Sequence, residues 1–229
     1  MSTSPEYQQE NTIQQYKNLQ NEVNASLNDL KNIVLHTGVP LEGNCFYVHT
    51  TLDLYNELFN KQVNLFWAGT QITRRVCEIG FNAGHSTMLL LLSKPKNVEL
   101  DFVVFDIGHH AYTRPTFYYM RSKYPNIRFR YEEGDSTVVM PRWIAYNPAE
   151  RGTYDVVHVD GGHSEHCIRH DMMNGVQLAR VGGIVIIDDT NDPIINSVVN
   201  EYISTGKYAE INILPSYGYP HRMIQKLSE

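Results

Sequence analysis

Cysteine is scarce in this chain: three in 229 residues, at Cys45, Cys77 and Cys167. An odd number at wide spacing builds no disulfide framework and no thiolate zinc site, and it fits a reducing compartment. Long hydrophobic runs are lacking too. The longest aliphatic stretch covers residues 88–92, far short of a membrane span. The polar stretch 1–20 lacks the apolar core of a secretory signal. A cytoplasmic protein without a membrane partner is expected. Positive charge is also short, with 19 Lys+Arg against 25 Asp+Glu and a net charge of −6. That balance argues against a chain whose main task is gripping nucleic-acid phosphates. Core material, by contrast, is ample. Hydrophobic residues make up 42% and charged residues 19%, so the bulk is globular and its core needs no disulfide or structural metal.

The pattern changes near residue 70. Upstream, Ile13, Tyr16, Leu19, Val23, Leu27, Leu30 and Val34 recur at spacings of three and four, one helical stripe. Gly38 and Pro40 stop it. Leu52, Tyr55, Leu58, Phe59 and Phe66 give a second helical pattern over 50–68. Residues 1–70 therefore read as a helical N-terminal region, frayed over its first dozen residues, and 71–229 as a separate domain. Downstream, strand candidates at 75–79, 100–106, 127–131, 155–160 and 184–188 alternate with helix candidates at 85–93, 115–123, 136–145, 164–179 and 193–205. Runs such as Val103-Val104-Phe105 and Ile184-Val185-Ile186-Ile187 suit parallel strands covered on both faces. Asp192, Pro193 and Gly206 punctuate the last helix. The alternation predicts a Rossmann-like doubly wound α/β sheet, with its ligand crevice beyond the carboxyl ends of the strands. The final runs, 208–214 and 222–227, are joined by residues 215–220 with no helix between them, so they predict an antiparallel hairpin.

The first core strand runs into Glu78-Ile79-Gly80-Phe81-Asn82-Ala83-Gly84-His85-Ser86. Two glycines let the backbone approach a ligand. The spacing is not the G-x-G-x-x-G of dinucleotide sites, and a carboxylate at Glu78 suits a cationic amine better than a pyrophosphate. Each later strand candidate also ends in or leads to an acid: Asp106, Asp135 in Gly134-Asp135-Ser136, Asp160 in Asp160-Gly161-Gly162-His163, and Asp188-Asp189. A lone strand-end aspartate is a turn former; five on one side of a sheet point to a site.

These motifs in this order resemble class I S-adenosylmethionine-dependent methyltransferases, most closely the metal-dependent sugar- and catechol-type O-methyltransferases. The resemblance spans about residues 70–229 and implies a seven-stranded sheet with one reversed strand. It implies that Glu78 holds the amino group of S-adenosylmethionine. The turn at 80–84, with Gly80, Asn82, Gly84 and Ser86, faces its methionine part. Asp106 binds the ribose, and Asp135 and Ser136 border the adenine. It further implies that Asp160, Asp188 and Asp189 bind Mg²⁺. Converging carboxylates repel one another, and a hard divalent cation relieves that repulsion. Asp188 and Asp189 both reach one ion only if the chain leaves strand geometry there. Asp160 or His163 would take the acceptor proton.

Other residues carry weaker signals. His166 and His170 have i,i+4 spacing but lack the acid of a zinc-protease motif. His109, His110, Tyr112, Tyr118, Tyr119 and Trp143 flank predicted crevice loops, where an aromatic ring could stack on adenine. Arg121, Lys123, Arg128 and Arg130 form a basic cluster, read either as a solvated edge or as an RNA contact. The expected activity is methyl transfer to a small hydroxylated acceptor, a sugar or a phenol, with residues near 36–70 covering the acceptor. An RNA or protein methyltransferase and a nonenzymatic cofactor-binding scaffold stand as alternatives. A homodimer is compatible with the sequence.

Overall fold

The computed structural model describes residues 5–48, 52–211, 213–216 and 219–229. Residues 1–4 of the expected frayed tail, 50–51 of the second helical pattern, 212 of the hairpin run and 217–218 of its connection lie outside the described residues. Helices α1 (Pro5–Asn18), α2 (Gln20–Thr37) and α3 (Phe59–Thr70) precede the sheet. The α2 stripe is the one the sequence predicts, with Val23, Leu27, Leu30 and Val34 buried. Gly38, in the left-handed conformation, closes it by donating its N–H to the Leu35 carbonyl. The early stripe is split, because the chain leaves α1 at Asn18 and re-enters at Gln20. The helix reaches back to Pro5, so part of the stretch expected to fray is helical, and Thr12 is buried. The second helical pattern becomes a short 3-10 turn at Asn56–Leu58 and then α3.

The sheet follows the predicted alternation closely. Its strands are β1 (Arg75–Ile79), β2 (Asp101–Asp106), β3 (Arg128–Glu133), β4 (Tyr154–Val159), β5 (Ala179–Ile187), β6 (Tyr208–Glu210) and β7 (Arg222–Lys226). Between them lie α4 (His85–Leu91), α5 (Thr113–Lys123), α6 (Ser136–Tyr146), α7 (Glu165–Leu178) and α8 (Pro193–Ser204). The spatial order is β3-β2-β1-β4-β5-β7-β6, and β7 runs antiparallel to both neighbours. This is the seven-stranded sheet with one reversed strand. The strand order changes direction between β1 and β4, and that switch point is where such sheets open a ligand crevice. Asp192 caps α8 through the Ile194 and Ile195 N–H groups, and Ser164 caps α7 through that of Cys167.

Two hydrophobic clusters cover the sheet. One holds Cys77, Val103, Val157, Val185 and the inner faces of α6, α7 and α8. The other joins the opposite face, through Val76, Phe102, Val104 and Ile186, to Tyr16, Leu30, Val63 and Phe66 of the N-terminal helices. The helical region thus shares a core with the sheet. Gly69 is where α3 meets α4: a Cβ there would lie 2.2 Å from the Leu90 carbonyl oxygen. Among the described residues, no helix is long and apolar enough to cross a membrane.

Candidate active site

Two cavities open at the carboxyl ends of β1 and β4, and they share Asn82, Asp160 and Gly161. The first, about 300 Å³, is bounded by Gly80, Phe105, Asp106, Asp135 and Ser136. The second, about 330 Å³, is bounded by Glu42, Asn44, Tyr47 and Lys61 from the N-terminal region and by His163, Asp188 and Asp189 from the sheet. Both lie in the size range of small-molecule sites.

The glycine turn is held from below and from above. Gly80 adopts φ +84°, and a Cβ would lie 1.8 Å from the Asp160 carbonyl oxygen, so only glycine lets β1 and β4 close together here. Asp106 Oδ2 accepts from the Phe81 and Asn82 N–H groups at 2.8 and 2.9 Å, and Oδ1 accepts from that of Gly108 at 2.7 Å. Asp106 therefore shapes the turn as well as bordering the first cavity. Asn82, also at positive φ, donates its side-chain amide to the Glu42 and Gly43 carbonyls. Its Oδ1 is buried without a hydrogen-bond partner. An unmet acceptor where the two cavities join fits the ammonium group of S-adenosylmethionine.

Glu78 takes a different place from the expected one. It is fully buried, and its carboxylate accepts from Ser86 at 2.5 Å, from the Thr87 hydroxyl, and lies 3.0 Å from His158 Nδ1. Glu78 and Ser86 thus bond each other beneath the turn, and neither is among the residues lining these two cavities. Gly84 likewise packs against the Phe81 ring. Asp135 caps α6 through Thr137, and with Ser136 it borders the first cavity. Of the anticipated aromatic residues, Tyr112 is fully buried, Trp143 is buried, Tyr118 is exposed, and Tyr119 bonds Asp29 at 2.8 Å. The ring that lines the first cavity is Phe105. His110 also borders it, stacked on Tyr112 at 4.9 Å.

The acids do not meet at one point. Asp160, Asp188 and His158 each bring a ligand atom within 4.8 Å of the others. Asp189 departs. The chain does leave strand geometry there, at φ +53°, but its carboxylate turns to His163 Nε2 at 2.9 Å. Asp188 is already engaged: Lys61 Nζ lies 2.5 and 2.6 Å from its two oxygens, with both residues buried. Burial alone would raise the Asp188 pKa, but the Lys61 ammonium outweighs it and holds the carboxylate below its ordinary value. Burial would lower that of Lys61, and Asp188 outweighs it in turn, so the pair is charged. Asp160 is pushed well above the usual carboxylate range, first by burial and then by Asp188. Among the described residues no hydrogen bond ties its side chain. His158 would be lowered by burial, but its hydrogen bond to Glu78 raises it above the ordinary histidine value. Its Nε2 is buried and unpartnered. His163 is raised by its hydrogen bond to Asp189. As they stand, the three carboxylates do not fit a shared Mg²⁺ ion.

Lys61 and His158 were not anticipated. A lysine inside a helix gives no periodic signal, and its partner Asp188 is 127 positions away. The one cue is that α3 places Lys61, Gln62 and Asn64 among Val63, Leu65 and Phe66, polar residues in a segment otherwise fit for burial. The basic cluster disperses. Arg128 bonds Asp101, Arg130 bonds Glu150 at 2.7 and 2.8 Å, and Lys123 bonds Ser26. The His166 and His170 rings lie 4.2 Å apart, tilted against each other, and His170 Nδ1 lies 2.7 Å from the His166 carbonyl. All three cysteines are free.

Residues 77–190 match the family model of a methyltransferase domain. That match, to just under half of the chain, agrees with the S-adenosylmethionine-dependent methyltransferase class that its motifs resemble. Solved structures share its fold. The O-methyltransferase TomG from Streptomyces achromogenes, involved in tomaymycin synthesis and solved with S-adenosylmethionine, is 15% identical with a TM-score of 0.58, covering 89% of this chain and 90% of its own. An O-methyltransferase from Bacillus cereus, solved with S-adenosylhomocysteine, is 13% identical with a TM-score of 0.55, covering 89% and 91%. CalS11, a TDP-rhamnose 3'-O-methyltransferase of calicheamicin biosynthesis, is 16% identical with a TM-score of 0.58, covering 88% and 93%. No curated protein matches the sequence.

Proposed function

We propose that the protein transfers a methyl group from S-adenosylmethionine to a hydroxyl of a small molecule, a sugar or a phenol. The observation that carries this reading is the pair of cavities joined at Asn82, Asp160 and Gly161. S-adenosylmethionine supplies, when bound, an electrophilic methyl group on a sulfonium cation. The first cavity suits it: Asp106 for ribose hydroxyls, Asp135 and Ser136 beside the adenine, and Asn82 Oδ1 for the ammonium. The acceptor occupies the second cavity, under a wall built by residues 42–47. Asp160 borders both. Burial and the neighbouring Asp188 raise its pKa well above the ordinary carboxylate value, which strengthens it as a base toward the acceptor proton. His163, held by Asp189, is exposed, borders the second cavity and serves as a relay to solvent. Catalysis is otherwise positional: the acceptor oxygen must be held in line with the methyl carbon in a site sheltered from water. The structural relatives support the acceptor class, since their names describe O-methyltransferases. Mg²⁺ assistance, which the resemblance implies, would require Lys61 to release Asp188.

The test is calorimetric titration with S-adenosylmethionine, S-adenosylhomocysteine and NAD, followed by methyl transfer to a panel of nucleotide sugars, catechols and simple phenols. The two adenosyl ligands should bind and NAD should not. Asp160→Asn should lower kcat by about 10²–10⁴-fold, the usual worth of a general base, with S-adenosylhomocysteine affinity unchanged. Full turnover by Asp160→Asn would remove the base from the mechanism. Failure of both adenosyl ligands to bind would remove the active methyl transferase itself.

A further inference from the structure

We propose that Lys61 is the resident cation of the acceptor site: its ammonium takes the place against Asp188 that a metal ion would take, and it steadies the acceptor oxygen as that oxygen loses its proton. This rests on the methyl-transfer reading above. Lys61 borders the second cavity; its Nζ donates to Asp188 Oδ2 at 2.6 Å and lies 2.5 Å from Oδ1. Among the described residues its ammonium has no other hydrogen-bond partner, which leaves donor capacity for an acceptor oxygen. Its neighbours in α3 fix it in place. Gln62 donates to the Cys45 carbonyl at 2.8 Å, and Asn64 both donates to the Leu214 carbonyl and accepts from its N–H. The cation is therefore set by the fold before any ligand arrives, the condition under which a fixed charge is worth most in catalysis.

Charge arithmetic favours one cation over two. Asp160 and Asp188 form the acidic pair, with His158 in the same cluster. A divalent ion placed there would share Asp188 with a buried ammonium a few ångströms away. Like charges at that separation in a dry site repel strongly, and expelling Lys61 would leave a buried charge without its partner. The transfer balances without a metal. The acceptor O–H bond breaks, its proton goes to the Asp160 carboxylate, and the electron pair stays on oxygen beside the Lys61 ammonium. That oxygen takes the methyl carbon, the carbon–sulfur bond breaks, and its electron pair remains on sulfur as a neutral thioether. Lys61 gives up no proton.

The experiment titrates Mn²⁺ into the full chain saturated with S-adenosylhomocysteine, followed by electron paramagnetic resonance, in wild type, Lys61→Met, Lys61→Arg and Lys61→Met/Asp188→Asn. Saturation by S-adenosylhomocysteine checks the methyltransferase reading separately, so its failure is distinguishable from a failure of the Lys61 role. Wild type and Lys61→Arg should leave Mn²⁺ free. Lys61→Met should bind one Mn²⁺ at least about tenfold more tightly, and the added Asp188→Asn should abolish it. If Lys61→Met does not fold, wild type and Lys61→Arg decide, since neither should take the ion. Turnover of an accepted hydroxyl compound should resist EDTA in wild type. In metal-free buffer, kcat should fall about 10²–10³-fold in Lys61→Met, with KM for S-adenosylmethionine unmoved. Stoichiometric Mn²⁺ binding by wild type would overturn the proposal. So would a Lys61→Met protein that binds Mn²⁺ no better than wild type.

Discussion

At the scale of single residues, the strand-end acids divide into different occupations. Asp106 organises a turn, Asp188 holds a lysine, Asp189 holds a histidine, and Asp160 stays unbonded between two cavities. Asp171 of α7 adds a case outside this set. It is fully buried under Gly161 at the wall of the first cavity; among the described residues neither oxygen has a partner in good hydrogen-bond geometry, and the nearby Ser136 side chain opposes its pKa rise only in part. Burial pushes its pKa up to about 6. Because the folded value exceeds the unfolded value of roughly 3.9, the folded state binds the proton more tightly. The cost of ionising Asp171 is thus absent below about pH 4, grows as pH rises, and is complete above about pH 6. Asp171→Asn should therefore raise stability at pH 7.5 by up to about 3 kcal/mol and change little at pH 4. Urea unfolding at the two pH values checks this, and equal effects at both would show that the carboxyl is not the source.

At the scale of elements, α3 links the N-terminal region to chemistry at the strand ends. It lies close enough to α4 to deliver Lys61 only because position 69 has no side chain. A methyl group there would sit 2.2 Å from the Leu90 carbonyl oxygen and 2.9 Å from its Cα, against backbone that cannot swing aside. Overpacking of this kind costs about 1–3 kcal/mol, so Gly69→Ala should lower the melting temperature by roughly 3–10 °C. A tilted α3 also moves Lys61, while the first cavity stands on loops after β1, β2, β3 and β4. Turnover should drop more than S-adenosylhomocysteine affinity. Scanning calorimetry and ligand titration on one preparation separate the two effects, and an unshifted transition would show that α3 and α4 have slack.

At the scale of the molecule, the sheet was legible in the sequence and the inner wall of the site was not. Continuous runs such as Ile184-Val185-Ile186-Ile187 and turn glycines such as Gly80 are local signals, and they place strands and turns within a few residues. The contacts of Lys61 with Asp188 and of Asn64 with Leu214 span 127 and 150 positions; no local pattern records them. The composition change near residue 70 likewise marks a change of element type, while the core runs across it from Tyr16 and Phe66 to Phe102 and Ile186. Heat unfolding of the full chain should thus be one transition, coincident by near- and far-ultraviolet circular dichroism. S-adenosylhomocysteine at 100 times its Kd should add about 2.7 kcal/mol, a rise of roughly 5–11 °C. A chain cut to residues 71–229 would bare the sheet face that Val63 and Phe66 cover and would leave Asp188 buried without its cation. It should give no sharp transition and should aggregate. A soluble 71–229 that melts cooperatively and binds S-adenosylhomocysteine as tightly as the whole chain would show instead that the helices are a detachable cover, and that the core joining them to the sheet adds little to folding.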